Sequence, residues 1–237
     1  MSKPNVWMSV SDLMTGLMVI FLFVTVSYMV KVNENQQVLV DYMDTRQDLH
    51  EKLVNKFAGD TLRWQMSIGK DLTLKFNNAE VLFPLGSAQL TPEFKEILDE
   101  FLPTYFDLLL NDSLRYQIKE IRIEGHTDTT RFRSLHKDPY IANIILSQRR
   151  ALAVVEYYRE SETFENYSEE DKRQIEYWLM ANGLSYGKAI DSEGQYTMVS
   201  GKEIDNDRSR RVEIKVVTNG DEVIVEYLRN KNKVFGE

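Results

Sequence analysis

A single carboxylate, Asp12, stands inside the most apolar stretch of the chain, Val6 to Val30, which reads VWMSVSDLMTGLMVIFLFVTVSYMV. An aspartate roughly two turns inside a membrane helix costs about 2.5–3.5 kcal/mol on insertion scales, so it needs a partner or a task. On a helix, Ser9, Asp12, Thr15, Gly16 and Val19 fall along one stripe at spacings of three and four, whereas Trp7, Phe21 and Leu22 lie mostly elsewhere. Small residues let neighbouring helices approach closely, and a carboxylate taken out of water can take up and release a cation. The alternative is an aspartate that reaches interfacial water by snorkelling. His126, two residues before Asp128, is the next chemical candidate, as a metal ligand. No second histidine has helical metal spacing to it, and His50 and His136 stand in unrelated segments, so no metal site is read here. No Gly-rich phosphate loop, nucleophile elbow or paired-carboxylate hydrolase motif is evident, and the chain reads as no enzyme.

These residues need elements to hold them. A chain of 237 residues with 43% hydrophobic content can bury one ordinary domain with some length left over. A net charge of −8 gives no basic footprint, which speaks against nucleic acid. With no cysteine, zinc-finger, thiol-nucleophile, disulfide and lipobox readings fall together. The apolar run is long enough to cross ~30 Å of hydrocarbon, too long for the core of a signal peptide, and no small-x-small cleavage site follows Ser27. Residues 6–30 are therefore read as one retained transmembrane helix after a short tail, 1–5. Lys3 on one side and Lys31 and Arg46 on the other do not fix its orientation.

Residues 31–63 read as a helical stalk, with Leu39, Tyr42, Leu49 and Leu53 at approximate heptad spacing and Arg46 interrupting the seam. A short parallel dimer and a solvated single helix both fit. From 64 to 237 strands and helices alternate. Period-two patterns mark strands at Met66–Ile68 and Leu72–Phe76, and Thr91-Pro92-Glu93-Phe94 opens a helix with Phe94, Ile97, Leu98, Phe101 and Leu102 inward. A strand at Ile118–Glu124, a helix from about Tyr140 to Arg159 and a third helix over Ser168–Asn182, ended by Gly183, follow. Val212–Val217 and Glu222–Tyr227 are expected to form a hairpin around Asn219-Gly220. The fold class is α+β with a mixed sheet.

The stretch Ser11-Asp12-Leu13-Met14-Thr15-Gly16-Leu17-Met18 resembles the membrane helix of the MotB/ZorB family of ion-driven stator subunits. The short tail favours the ZorB branch of the Zorya anti-phage systems over the flagellar branch. Several separated segments resemble the OmpA-like peptidoglycan-binding domain: Val81-Leu82-Phe83 with Ser87–Pro92, Ile121-Arg122-Ile123-Glu124-Gly125-His126-Thr127-Asp128, Asn143–Ala151 as N-x-x-L-S-x-x-R-A, and Ser209-Arg210-Arg211-Val212-Glu213-Ile214. This resemblance implies a βαβ-type fold and a role for Asp12 and Thr15 in passing H+ or Na+. It also implies a wall groove in which Asp128 meets the ammonium and Arg150 the carboxylate of a diaminopimelate-containing stem peptide, with Thr127, Asn143, Leu146 and Arg210 nearby. Ser209 stands where the family usually has asparagine, Arg149 and Arg211 read as solvated or structural, and the loop Thr129–Asp138 lacks the family's glycine.

The implied partners are a MotA/ZorA-like multi-helix membrane protein, in a ring of five around a homodimer of this chain, and peptidoglycan. The implied location is the inner membrane, single-pass, with the N-terminus cytoplasmic and the C-terminal domain periplasmic. No cofactor is expected beyond the transported ion. A flagellar stator subunit, a passive wall tether and a wall-sensing receptor are the alternatives. The tether uses Asp12 only for helix association, and the receptor has five cytoplasmic residues with which to signal.

Overall fold

The computed structural model describes residues 6–132, 134–221 and 224. The chain divides into two compact units, one running through Asp44 and one beginning at Thr45. Helix α1 (Val6–Phe57) begins in the first and ends in the second. In the first unit, Val10–Glu34 is long and apolar enough to cross a membrane, and none of it is buried. Leu13, Met18, Phe21 and Phe23 are each more than 60% exposed, so the helix shows apolar side chains on every side. The hydroxyl of Thr15 donates to the Ser11 carbonyl at 2.8 Å, satisfying itself on its own helix.

In the second unit, the last turns of α1 enter the core. Leu49, Leu53 and Phe57 are buried, and the Phe57 ring lies 5.2 Å from Phe101. Arg46, which broke the apolar seam in the sequence, donates to Asp221 at 2.8 Å. The chain continues through β1 (Met66–Ile68), β2 (Thr73–Phe76), α2 (Ala79–Leu82) and α3 (Pro92–Leu109). Thr91 caps α3 as expected, accepting from the Phe94 amide at 3.1 Å. After α4 (Asp112–Arg115) come β3 (Ile118–Gly125), α5 (Pro139–Arg159), α6 (Glu162–Glu165), α7 (Glu169–Trp178), β4 (Leu179–Gly183), α8 (Thr197–Ser200), α9 (Asn206–Ser209) and β5 (Val212–Thr218).

The five strands form one mixed sheet in the order β1-β2-β5-β3-β4, antiparallel except for the β3–β4 pair. The crossover from β3 to β4 contains α5, as a βαβ unit requires. One sheet face carries Leu74, Phe76, Ile121, Ile123, Val212, Ile214 and Val216 into a core shared with α3 and α5. The other face is polar, with Lys75, Glu213 and Glu124 side by side across β2, β5 and β3.

Two expectations fail. The third helix stops at Trp178, and Leu179–Gly183 pairs in parallel with Ile121–Gly125. Leu, Met and Ala suit a helix, but the open edge of β3 and the burial of Ile175 and Trp178, whose indole donates to the Ile118 carbonyl at 3.1 Å, outweigh that preference. The hairpin also does not form at Asn219-Gly220, because neither residue takes the positive φ of a type I′ turn. Instead Asn219–Asp221 and Ile224 are helical, Asn219 donates to the Tyr116 and Gln117 carbonyls, and the Asp221 carboxylate accepts from the Thr218 amide. The remainder of the expected second strand lies outside the described residues.

Gly125 and Gly183 let α5 lie directly on β3 and β4. A Cβ on Gly125 would stand 2.2 Å from the Ser147 carbonyl oxygen, and one on Gly183 2.4 Å from the Gln148 nitrogen. Gly125→Ala is accordingly expected to destabilise the domain by about 1–3 kcal/mol through overpacking. Thermal melts followed by circular dichroism should show a midpoint lowered by roughly 2–12 °C. An unchanged midpoint would mean that α5 shifts freely.

Candidate functional site

The end of β3, the loop after it, the first half of α5, the turn at Pro84–Ser87 and the entry to β5 converge. Asp128 is 2% exposed: its Oδ1 accepts from the Thr130 amide at 2.8 Å and its Oδ2 from Arg210 Nη1 at 2.6 Å. Burial alone would push this carboxyl up, but the hydrogen bonds from Thr130 and Arg210 outweigh it and hold the group below the ordinary carboxylate range. Arg210 also pairs with Asp207. Arg210, a subsidiary candidate by sequence, is in the structure the direct partner of Asp128.

Arg150 is held by backbone. Its Nε donates to the Ser87 carbonyl at 2.9 Å and its Nη2 to that of Pro84 at 3.5 Å, while the guanidinium lies 5.0 Å above the Phe83 ring. Burial pushes its pKa down to about 10 while the nearby Asp128 carboxylate acts in the opposite direction, and the group stays charged at neutral pH. With Nε and one Nη2 hydrogen engaged, Nη1 and the other Nη2 hydrogen are left to grip a carboxylate. Ser87 lies within one of the OmpA-like segments and Pro84 at its flank, but no spacing in the sequence reveals a carbonyl as a partner of a side chain 63 residues away.

The remaining candidates fix the loop after β3 against α5. Asn143 is fully buried and its amide donates to the Thr130 carbonyl at 2.8 Å and that of Pro139 at 3.0 Å, tying the loop after β3 to α5. Leu146 is 2% exposed beside it in sequence order on the same helix. The Thr127 amide donates to the Ser185 carbonyl, and the Ser185 amide to Ser147 Oγ, so the segment after β4 clamps the same loop. Arg149 is exposed, while Arg211 is buried and donates to Glu213, Ser209 and Lys188. Asp12 and Thr15 belong to the other unit.

Residues 82–211 match the OmpA family. The chain is 36% identical to the Zorya protein ZorB of Escherichia coli strain Crooks over 91% of its own length and 88% of that protein's. It belongs to the ZorB family and carries an OmpA-family domain. A second Zorya protein ZorB, from Escherichia coli O139:H28, is 26% identical over 89% of this chain and 79% of its own. A solved MotB-like protein from Desulfovibrio vulgaris is 19% identical and has a TM-score of 0.47, covering 78% of this chain and 99% of its own.

Within this OmpA-family domain His126 is 1% exposed, and neither ring nitrogen has a hydrogen-bond partner. Burial, then the charge of Arg211, pushes its pKa down to about 3. The unfolded chain takes up a proton near 6.5 and the folded chain only near 3, so this group's stability is complete above pH 6.5 and is lost as pH falls toward 3. The expected loss is up to about 1.4 kcal/mol per pH unit across that window. Denaturant titrations at pH 7, 6 and 5 in chelator-treated buffer should show His126→Gln with a visibly shallower pH dependence than wild type. Parallel curves would show that His126 is solvated.

Proposed function

We propose that this chain is the wall-anchored subunit of an ion-driven inner-membrane motor in a Zorya-type anti-phage system. The observation that carries the reading is the length of the match to ZorB, which runs over 91% of the chain and well past the OmpA-family segment at 82–211. The apolar span supplies a single membrane crossing, with the OmpA-family domain on the periplasmic side and the N-terminus in the cytoplasm. Asp12 takes up and releases H+ or Na+, with Thr15 one turn along the same stripe. One helix cannot enclose an ion path, so a multi-helix ZorA-like partner must complete it. We place a dimer of this chain at the centre of a ring of five such partners. The role is mechanical: ion flow drives rotation and the domain holds the subunit to the wall.

The ligand of the groove is the diaminopimelate end of a stem peptide, which bears an ammonium and a carboxylate. The ammonium shares the Asp128 carboxylate with Arg210, using lone pairs that the Thr130 and Arg210 donors leave over. The carboxylate takes the two outer N–H groups of Arg150, which Ser87 and Phe83 hold in place. Asp128→Asn and Arg150→Lys are each expected to weaken binding by about 1.5–3 kcal/mol, roughly ten- to a hundredfold, while the domain still melts cooperatively at a lowered midpoint because both side chains are buried and paired. The double variant should lose less than the sum, since both residues hold one ligand end. Sacculus pull-down and calorimetric titration with a diaminopimelate stem peptide test this, and full binding in both single variants would place the wall ligand elsewhere.

A further inference from the structure

We propose that Glu124, His126 and Glu213 form a binding site for a zinc-class divalent cation, on the polar face of the sheet and adjoining the groove loop. Glu124 on β3 and Glu213 on β5 are direct cross-strand partners, and His126 follows one residue past the end of β3. One donor atom from each of the three lies within 4.8 Å of the others. His126 Nε2 is 3.7 Å from Glu213 Oε2 and 4.0 Å from Glu124 Oε2. These gaps are too long for hydrogen bonds, yet close to the roughly 3.4 Å that separates ligands sharing a tetrahedral ion at bonds of about 2.1 Å. The histidine itself is the second sign. It is 99% buried with both nitrogens unpartnered, a costly arrangement for a ring whose neighbours are two carboxylates.

The surroundings orient the ligands. Glu213 Oε1 accepts from Arg211 Nε at 2.6 Å and lies 3.6 Å from Lys75 Nζ, which leaves Oε2 turned toward the imidazole. Such an outer contact fixes a ligating carboxylate in one orientation. Glu124, whose side chain is 13% exposed against 5% for Glu213 and 1% for His126, gives the ion its way in. Arg211 and Lys75 offset part of the carboxylate charge, so an ion gains its hold through direct coordination and not through a general negative field. One imidazole and two carboxylate oxygens suit Zn2+, whereas Ca2+ and Mg2+ call for six or more oxygens in most sites. A bound ion would tie β3 to β5 immediately before the loop that carries Asp128.

The test uses untagged full-length protein in detergent, stripped with chelator and titrated with Zn2+ and with Co2+ as an optical probe. One ion per chain, a raised melting temperature and Co2+ absorption bands are expected. Glu124→Gln and His126→Gln should each lower the affinity at least tenfold, with the Glu124→Gln melting point without metal near that of wild type. Absence of saturable binding overturns the proposal. So does an affinity unchanged in both variants, which would place the ion on other side chains.

Discussion

Replacing Asp12 by Asn is expected to abolish biological activity while leaving expression, membrane insertion and wall binding near wild type. The amide keeps the volume of the side chain but removes the oxygen pair to which the proposed function assigns cation exchange. Asp12 is exposed on α1 and lies outside the unit that holds the hydrophobic core, so the core does not depend on it. Asp12→Glu restores a carboxylate one methylene out of place and should keep a fraction of the activity. Plating efficiency under phage challenge, in cells that carry the complete system at native expression, is the readout. Protection by Asp12→Asn should fall to that of cells lacking the gene. Wild-type protection would leave the chain as a passive tether.

The parts of this molecule that sequence made legible are those set by local pattern. The apolar span, the Thr91 cap, the β2 and β3 alternation and the inward face of α3 each follow from residues close together in the chain. The site around Asp128 was legible only as a set of motifs, because Asp128 and Arg210 are 82 residues apart and meet through the pairing of β3 with β5. The failures have the same origin. Leu179–Gly183 has helix-forming residues but lies beside an open strand edge, and Asn219-Gly220 is drawn into tertiary bonds with Tyr116 and Gln117. The cluster of Glu124, His126 and Glu213 is likewise invisible to local spacing, because its carboxylates come from two strands that pair across the sheet.

The same distinction decides where the folded domain begins. Polar composition alone places residues up to about 63 in a stalk, yet Leu49, Leu53 and Phe57 are each no more than 1% exposed. They recur every four residues, so one face of the last turns of α1 is committed to the core. The Phe57 ring lies, tilted, 6.1 Å from Trp64 and 5.2 Å from Phe101, at the edge of an aromatic cluster centred on Phe101 that includes Phe76 and Tyr105. Burying a Leu or Phe side chain contributes roughly 1.5–3 kcal/mol, so three of them contribute about 5 kcal/mol or more, a large share of the ~5–15 kcal/mol typical of a whole domain. A fragment starting at Asp60 also loses the Arg46–Asp221 ion pair and leaves Trp64 and Phe101 facing water. A fragment starting at Thr45 keeps all of these contacts. The expected result is a cooperative melt and sacculus binding for the Thr45 fragment, and for the Asp60 fragment a non-cooperative or strongly lowered melt with binding lost. Equal melting curves for the two would mean that the end of α1 lies on the domain without stabilising it, and that its apolar face serves a second copy of the chain instead.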